Sequence, residues 1–358
     1  MRALQTRSQE VRVAWSVPLE SVATAVVAAP DGVIVGTSDG RIRHIVEGQT
    51  RDVGWMDGQV RWLARADDGT VYAGGDLQNW AAFRPDGTRA FYRLEGHRPF
   101  AAPLIGDDGT LVYGSGRLLV AADAATGEEK WSRAEWMWLN SDTPLPLRGD
   151  GLLVRTSNGL QALESDGAPR WTMPGNPSAP CVGHDGTVFV GEGYPPTRLR
   201  ALDPGIGAVR WEKDLRQKIL GTPAQGPDGT LYVALTEGHV VALSPDDGEV
   251  RWRAPVYTDT PTVLTHDGGS SLLVGNSAIH QVWCIDTTIG ERAWSHRAER
   301  PHVGAAPADG GFIAVDSGQV VSLENAGWRV PSSEASDPRV ERAPDFVIID
   351  GVRIPVRR

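Results

Sequence analysis

Cysteine is nearly absent: the 358-residue chain holds two, Cys181 and Cys284, 103 positions apart, with no C-x-x-C pair and no histidine cluster beside either. That spacing excludes a disulfide framework and a structural zinc site, and both are expected to be buried, inert thiols. No window approaches 18 consecutive apolar residues, which excludes a transmembrane helix. Lysine is scarce as well, at Lys130, Lys213 and Lys218 among 35 basic residues. Codon usage that favours arginine accounts for this without a recognition role. The formal charge of −10 argues against nucleic acid or an anionic membrane as the main partner. The N-terminus has no apolar leader, so as written the chain is expected in the cytoplasm, or in the periplasm or outside the cell had a leader been removed. The sequence also lacks H-E-x-x-H, a P-loop and a dinucleotide-type G-x-G-x-x-G, and no catalytic motif is expected in it.

What is abundant is glycine (42), proline (25) and tryptophan (13, against 12 Tyr and Phe together). An Asp-Gly pair followed by a short apolar run recurs eight times, at Asp31, Asp68, Asp108, Asp150, Asp185, Asp228, Asp267 and Asp309. The mean interval is about 40 residues, the length of a four-stranded propeller blade. Each unit contains four runs of four to seven residues bounded by Gly, Pro or Asp, the chemistry of consecutive hairpins. No segment keeps a 3.6-residue period for more than two turns, so helices are expected to be nearly absent. A single four-stranded meander cannot bury both faces, whereas eight packed around an axis bury every inner face and leave only short edges. The spacing predicts an all-β, eight-bladed β-propeller of antiparallel blades over residues 11–330, followed by a polar linker from 331 and an Asp350-Gly351 hairpin laid on the propeller.

Within the repeats, Ala121…Asp123…Gly127…Trp131, Ala201…Asp203…Gly207…Trp211 and Ala242…Gly248…Trp252 share one frame. Cys284…Asp286…Gly290…Trp294 keeps it, and Ala162…Gly167…Trp171 and Ser322…Gly327-Trp328 are shortened versions. Repeat two ends in Phe91-Tyr92, and repeat one (43–48) has lost the pattern. This frame resembles the tryptophan-docking motif of pyrroloquinoline-quinone-type (PQQ-like) repeat propellers, and the resemblance extends over nearly the whole chain. It implies that Trp131, Trp171, Trp211, Trp252 and Trp294 fasten blade to blade, each burying about 150–250 Å², with Trp15 and Trp328 in the same role. Trp15 and Trp328 compete for one outer-strand slot in the last blade, and the N-terminal strand is the favoured closure. Members of this family include quinoprotein dehydrogenases and the outer-membrane-assembly lipoprotein. Neither the adjacent cysteine pair of the former nor the lipobox cysteine of the latter is present, so PQQ and calcium are not expected.

Function is expected in loops and in the axial funnel. Aligning the inner strands gives a polar register in which Arg61, Asp142, Asp259 and His302 form a charged ring at one mouth. The loop 131–140 carries Trp136 and Trp138, two more tryptophans than docking needs, and Tyr194 with Arg198 marks the long loop of blade five. Both are candidate protein-interaction loops. Asp67-Asp68 and Asp107-Asp108 read as turns and not calcium ligands, and His184 and His266 as exposed turn residues. The sequence therefore points to a non-catalytic scaffold binding a protein partner. The rival is an enzyme or small-ligand receptor, quinone-linked or not, working in the funnel, and a third reading is the sensory part of a larger system.

Overall fold

The computed structural model describes residues 8–94, 97, 99, 101–115, 117–134, 143–147, 151–156, 159–193, 195–256, 262–276, 280–308, 311–329, 341–343, 346–349 and 352–355. Among the described residues there is no helix. Eight four-stranded antiparallel sheets follow one another along the chain, seven of them simple meanders. They form an eight-bladed β-propeller. Blade 1 spans 23–55, blade 2 60–93, blade 3 104–134, blade 4 145–174, blade 5 181–214, blade 6 219–255 and blade 7 262–297. The first strands of blades 1 and 2, of blades 4 to 8 in succession, and of blades 8 and 1 touch one another. The first strand of each blade is therefore the innermost, and the fourth lies at the rim.

Blade 8 is built from both ends of the propeller. Its three inner strands are His302–Ala308, Gly311–Asp316 and Gln319–Arg329, and its outer strand is Ser8–Pro18. The ladder runs from Ser8 opposite Arg329 to Pro18 opposite Gln319. The N-terminal closure is thus the one adopted, and the alternative fails for a definite reason. Trp328 belongs to the third strand, facing Gln9, so the outer slot it was expected to fill is already occupied by the strand that carries Trp15. Residues 341–343, 346–349 and 352–355 form a separate three-stranded antiparallel sheet. The expected Asp350-Gly351 turn falls outside the described residues.

Side chains alternate between the two faces along each strand, and the second and third strands are largely apolar on both, so each blade presents one face to the blade before and one to the blade after. Eight buried clusters result, one per seam. The seam between blades 5 and 6, for example, joins Phe189, Leu199 and Ala201 to Leu231, Val233 and Leu243. One rung recurs on the forward face of seven blades, running from second to third to outer strand. It reads Tyr72–Ala82–Phe91, Val112–Ala121–Trp131, Leu153–Ala162–Trp171, Phe189–Ala201–Trp211, Tyr232–Ala242–Trp252, Leu273–Cys284–Trp294 and Ile313–Ser322–Trp15 in blades 2 to 8. The small middle residue leaves room for the ring beside it.

The rings of Phe91, Trp131, Trp171, Trp211, Trp252 and Trp15 each cover a turn of the following blade. A Cβ added to Gly207 would lie 2.7 Å from Trp171, one on Gly248 2.7 Å from Trp211, and one on Gly290 2.5 Å from Trp252, and all three glycines have φ of 70 to 71°. Both the left-handed conformation and the indole overhead therefore require glycine there. The indole N–H of Trp171 donates to Pro204 O at 2.9 Å, that of Trp211 to Pro245 O at 2.8 Å and that of Trp252 to Thr287 O at 2.9 Å. The rings of Trp131, Trp171, Trp211 and Trp252 are half-buried and Trp294 is 5% exposed, as a blade-to-blade fastening requires.

The residue before the tryptophan sits in a bulge of the third–outer ladder. There Arg210 reaches Thr187 Oγ1 at 2.6 Å and Asp203 at 2.9 Å, and Arg251 reaches Asp228 at 3.2 Å and Thr230. The same Asp-Gly-Thr turns are closed by their own aspartates. Asp68 accepts from Thr70 N at 2.8 Å and Asp108 from Thr110 N at 3.0 Å, which is the turn role expected of both. His184 is exposed, but His266 is not: it stacks on Tyr232 at 5.6 Å and accepts from Gly268 N. Burial lowers its pKa. The aromatic second-strand residue, invisible to a turn-based reading, drew it in.

Candidate functional site

The two ends of the propeller differ. One carries the Asp-Gly hairpins and the docking turns. The other, the loop face, carries the turns between second and third strands and the connections from each outer strand to the next blade. Arg61 lies on this face, exposed, in a bulge of the inner strand Val60–Arg65. The polar register of the inner strands has a structural cause where it can be followed. Thr24 also lies in an inner-strand bulge, and its hydroxyl donates to Val60 O at 2.6 Å, tying blade 1 to blade 2. Ser178 Oγ accepts from Gly191 N at 2.9 Å within blade 5. Asp142 and Asp259 lie outside the described residues, as does the side chain of His302, whose backbone faces Asp316. Arg61 is therefore the one member of the expected ring whose side chain is described.

Of the expected interaction loops, Trp136, Trp138 and Tyr194 lie outside the described residues. Arg198 is exposed on the third strand of blade 5, 3.9 Å from Glu212. The connection that carries Trp136 and Trp138 leaves the outer strand Glu129–Ala134 from the loop face.

The same face presents a group that motif reading missed. Trp55 (52% exposed), Leu77 (58%) and Leu94 (61%) lie at the end of blade 1, in the second-to-third-strand turn of blade 2 and just after the outer strand of blade 2, with Val22 also exposed at the start of blade 1. The three segments are joined by one hydrogen-bond network. Tyr92 Oη donates to Asp57 Oδ2 at 2.7 Å, and Asn79 Nδ2 donates to Tyr92 Oη at 2.8 Å and to Asp57 O at 2.6 Å. Gln59 N adds a bond to Asp76 at 2.9 Å. The signal for Trp55 was its register: it stands seven residues after Gly48, whereas a docking tryptophan stands four after its glycine, as Trp211 does after Gly207.

Beside Leu94 a cleft of about 600 Å³ opens between blades 2 and 3, lined by Trp80, Tyr92, Arg93, His97, Tyr113 and Glu129. Its floor is an aromatic stack: the Trp80 ring meets Phe91 edge-on at 4.8 Å and Tyr113 at 5.6 Å. Tyr113 Oη donates to His97 O at 3.0 Å, and burial holds the phenol well above its ordinary pKa. Glu129, 3.0 Å from His97 Nδ1, is held below the usual carboxylate range by hydrogen bonds from Ser132 and His97. Aromatic walls with polar groups at the rim are the surface chemistry of protein recognition.

Cys181 lies on the inner strand of blade 5 and Cys284 on the third strand of blade 7, both as free thiols; Cys284 is buried as expected, whereas Cys181, at the end of a two-residue strand, is only half-buried. Burial pushes them up to about 11 and about 12. Among the described residues, no group of three His, Cys, Asp or Glu side chains comes together as a metal site. No helix among the described residues is long and apolar enough to cross a membrane.

Comparison with known proteins agrees with this architecture. The chain is similar to the serine/threonine-protein kinase AfsK of Streptomyces griseus, 31% identical over 201 residues, covering 53% of this chain and 20% of that one. It is also similar to the kinase AfsK of Streptomyces coelicolor, 33% identical over 137 residues, covering 34% and 16%. The chain thus spans about a fifth or less of the length of these curated relatives. Among solved structures, BamB from Moraxella catarrhalis superposes with a TM-score of 0.68 at 17% identity, over 88% of this chain and 98% of that one. The computationally designed Ika8 protein does so at 0.71 and 15%, over 86% and 98%. The family model described as outer membrane protein assembly factor BamB matches residues 56–195 and 195–345. With that match spanning most of the chain, and a docking rung of the expected kind in blade after blade, the protein belongs to this BamB-like family of PQQ-like repeat β-propellers.

Proposed function

We propose that the chain is a non-catalytic docking module that binds a protein partner on the loop face of blades 1 to 3. The observation that carries this reading is the exposed set Trp55, Leu77 and Leu94, held on three hydrogen-bonded segments beside an aromatic cleft. Large apolar side chains on a rigid platform lose little conformational freedom on binding, and an exposed tryptophan is the commonest anchor of such interfaces. The family supports the reading, since one of its members is named an assembly factor. Kinase activity is not carried over from the relatives: the match covers a small part of them, and the sequence has neither an H-R-D nor a D-F-G triplet.

Affinity capture from the source cells, quantified by mass spectrometry, tests it. Trp55→Ala and Leu94→Ser are each expected to release one common set of retained proteins, with binding weakened by about 2 kcal/mol or roughly thirtyfold. Trp136→Ala and Trp138→Ala locate the contribution of the neighbouring loop. Retention unchanged in all four variants refutes the loop-face reading, and loss in Asp259→Ala alone transfers the site to the funnel.

The module is proposed to work without PQQ or calcium, because the sequence lacks the adjacent cysteine pair that the quinoprotein dehydrogenases carry. Adding both to purified protein is expected to give no dye-linked oxidation of alcohols or sugars above a heat-killed control. Turnover above that control would reverse the non-enzymatic reading.

A further inference from the structure

The seam between blades 1 and 2 departs from every other. At the rung that elsewhere carries a ring on the outer strand, blade 1 has Ile34–His44–Arg51. Histidine replaces the small residue and arginine replaces the indole. The ladder bulge that usually sits directly after this rung has moved to Ile42/Arg43. The receiving turn of blade 2 is nonetheless in place. Gly87 N bonds Arg84 O at 2.9 Å, as Gly167 N bonds Glu164 O in blade 4. On Gly167 an added Cβ would meet the Trp131 ring at 3.4 Å, but on Gly87 it would meet only Val53 O at 4.0 Å. The turn waits for an aromatic ring that the sequence does not supply, and a cleft of about 440 Å³ stands in its place.

The cleft is charged. Arg51, Arg65 and Arg84 line it together with His44, Asp31, Asp52 and Asp86. The carboxylates have partners of their own. Asp31 lies 3.0 Å from His44 Nε2, Asp52 lies 3.5 Å from Arg43, and Asp86 accepts from Thr88 N at 2.8 Å and from its hydroxyl at 2.6 Å. The guanidiniums are in the opposite condition. Among the described residues, Arg51 reaches only His44 Nδ1, at 3.5 Å. Arg65 and Arg84 have no hydrogen bond or ion pair from their side chains among the described residues. What the cleft has in surplus is unused guanidinium donors, so its occupant must bring acceptors.

We propose that this cleft is an anion site for a phosphate group, bound by Arg51, Arg65 and Arg84 where the other seams hold an aromatic ring. A carboxylate is satisfied by one guanidinium fork, whereas a phosphate monoester carries a nearly double charge on three oxygens and uses several forks at once. The site lies at the end of the propeller opposite the loop face, so a phosphate here and a protein partner there would not compete.

Isothermal titration with inorganic phosphate, phosphoserine and succinate tests the assignment. Inorganic phosphate or phosphoserine is expected to bind with a Kd below about 1 mM, and succinate at least tenfold more weakly. The double variant Arg65→Ala/Arg84→Ala is expected to weaken phosphate binding at least tenfold, while Arg253→Ala, on a fastened outer strand, leaves it unchanged. His44→Ala/Arg51→Trp restores the usual rung and is expected to fold, fill the cleft and abolish binding. Phosphoserine binding at least tenfold tighter than phosphate identifies a phosphorylated side chain as the source, and equal affinities identify the free ion. Absence of phosphate binding, equal binding of succinate, or binding that survives the double arginine variant overturns the proposal.

Discussion

Replacing Trp211 with alanine is expected to destabilise the propeller by about 3–5 kcal/mol, measured as a fall in the urea or thermal unfolding midpoint. The indole makes three kinds of contact that alanine cannot replace. It covers Gly248 of the next blade, it lies against Phe189 at 5.9 Å, and its N–H donates to Pro245 O at 2.8 Å. Removing it leaves a hole between blades 5 and 6 and an unpaired carbonyl at the turn, and neither blade can move inward because each is held by its other neighbour. Trp211→Phe fills most of the hole and loses the hydrogen bond, so about 1 kcal/mol is expected to separate it from the wild type on that account alone. Trp55→Ala is the internal contrast. That ring is out of docking register and 52% exposed, so its removal is expected to cost no more than about 0.5 kcal/mol, although it is a partner-binding candidate. Equal losses from Trp211→Ala and Trp55→Ala would mean that tryptophan position in the repeat carries no fastening energy.

That contrast shows what the sequence could convey. The repeat was legible because glycine is required at each hairpin and docking turn, and a required residue at a fixed interval leaves a countable trace. The role of a tryptophan was legible through its distance from that glycine. The seam between blades 1 and 2 was legible only as a missing motif. That His44 and Arg51 face each other on the docking rung depends on which residues pair across a ladder whose bulge has moved, and spacing does not encode a displaced bulge. The misplacement of Trp328 has a similar origin. Gly327-Trp328 looks like a compressed docking turn, but its third strand simply runs on to Arg329 because an outer strand from far away in sequence is there to pair with it. His266 was misjudged because its Asp-Gly context says turn, while its burial comes from Tyr232 in the neighbouring blade. The loop-face group was missed for a further reason: Trp55, Leu77 and Leu94 belong to three different segments, and only the Asp57–Tyr92–Asn79 network makes them one surface.

Deleting residues 1–18 is expected to remove the cooperative unfolding transition or to yield an aggregating chain, because the strand Ser8–Pro18 closes the ring. Its side chains stitch two seams. Val11 packs with Phe312, Ala314 and Trp294 between blades 7 and 8, while Trp15 and Val17 pack with Val33, Ile45 and Val320 between blades 8 and 1. Trp15 also lies over Gly48, the turn of blade 1, at 3.5 Å from an added Cβ. Losing this partial burial costs about 1–2 kcal/mol for each of the three side chains, a sum that is a large share of the roughly 5–15 kcal/mol that holds a domain folded. The deletion also strips the partner from the third strand, Gln319–Arg329, and turns 11 residues of it into an open edge able to pair with another chain. A synthetic peptide of residues 8–18 added in trans is expected to restore the transition and the monomeric elution volume, because the groove it fills is formed by strands that remain. A peptide with Trp15→Ala should do so only at higher concentration. If the truncated protein elutes as a monomer with an unchanged unfolding midpoint, the closure contributes no stability, and the ring must be held by its remaining seams alone.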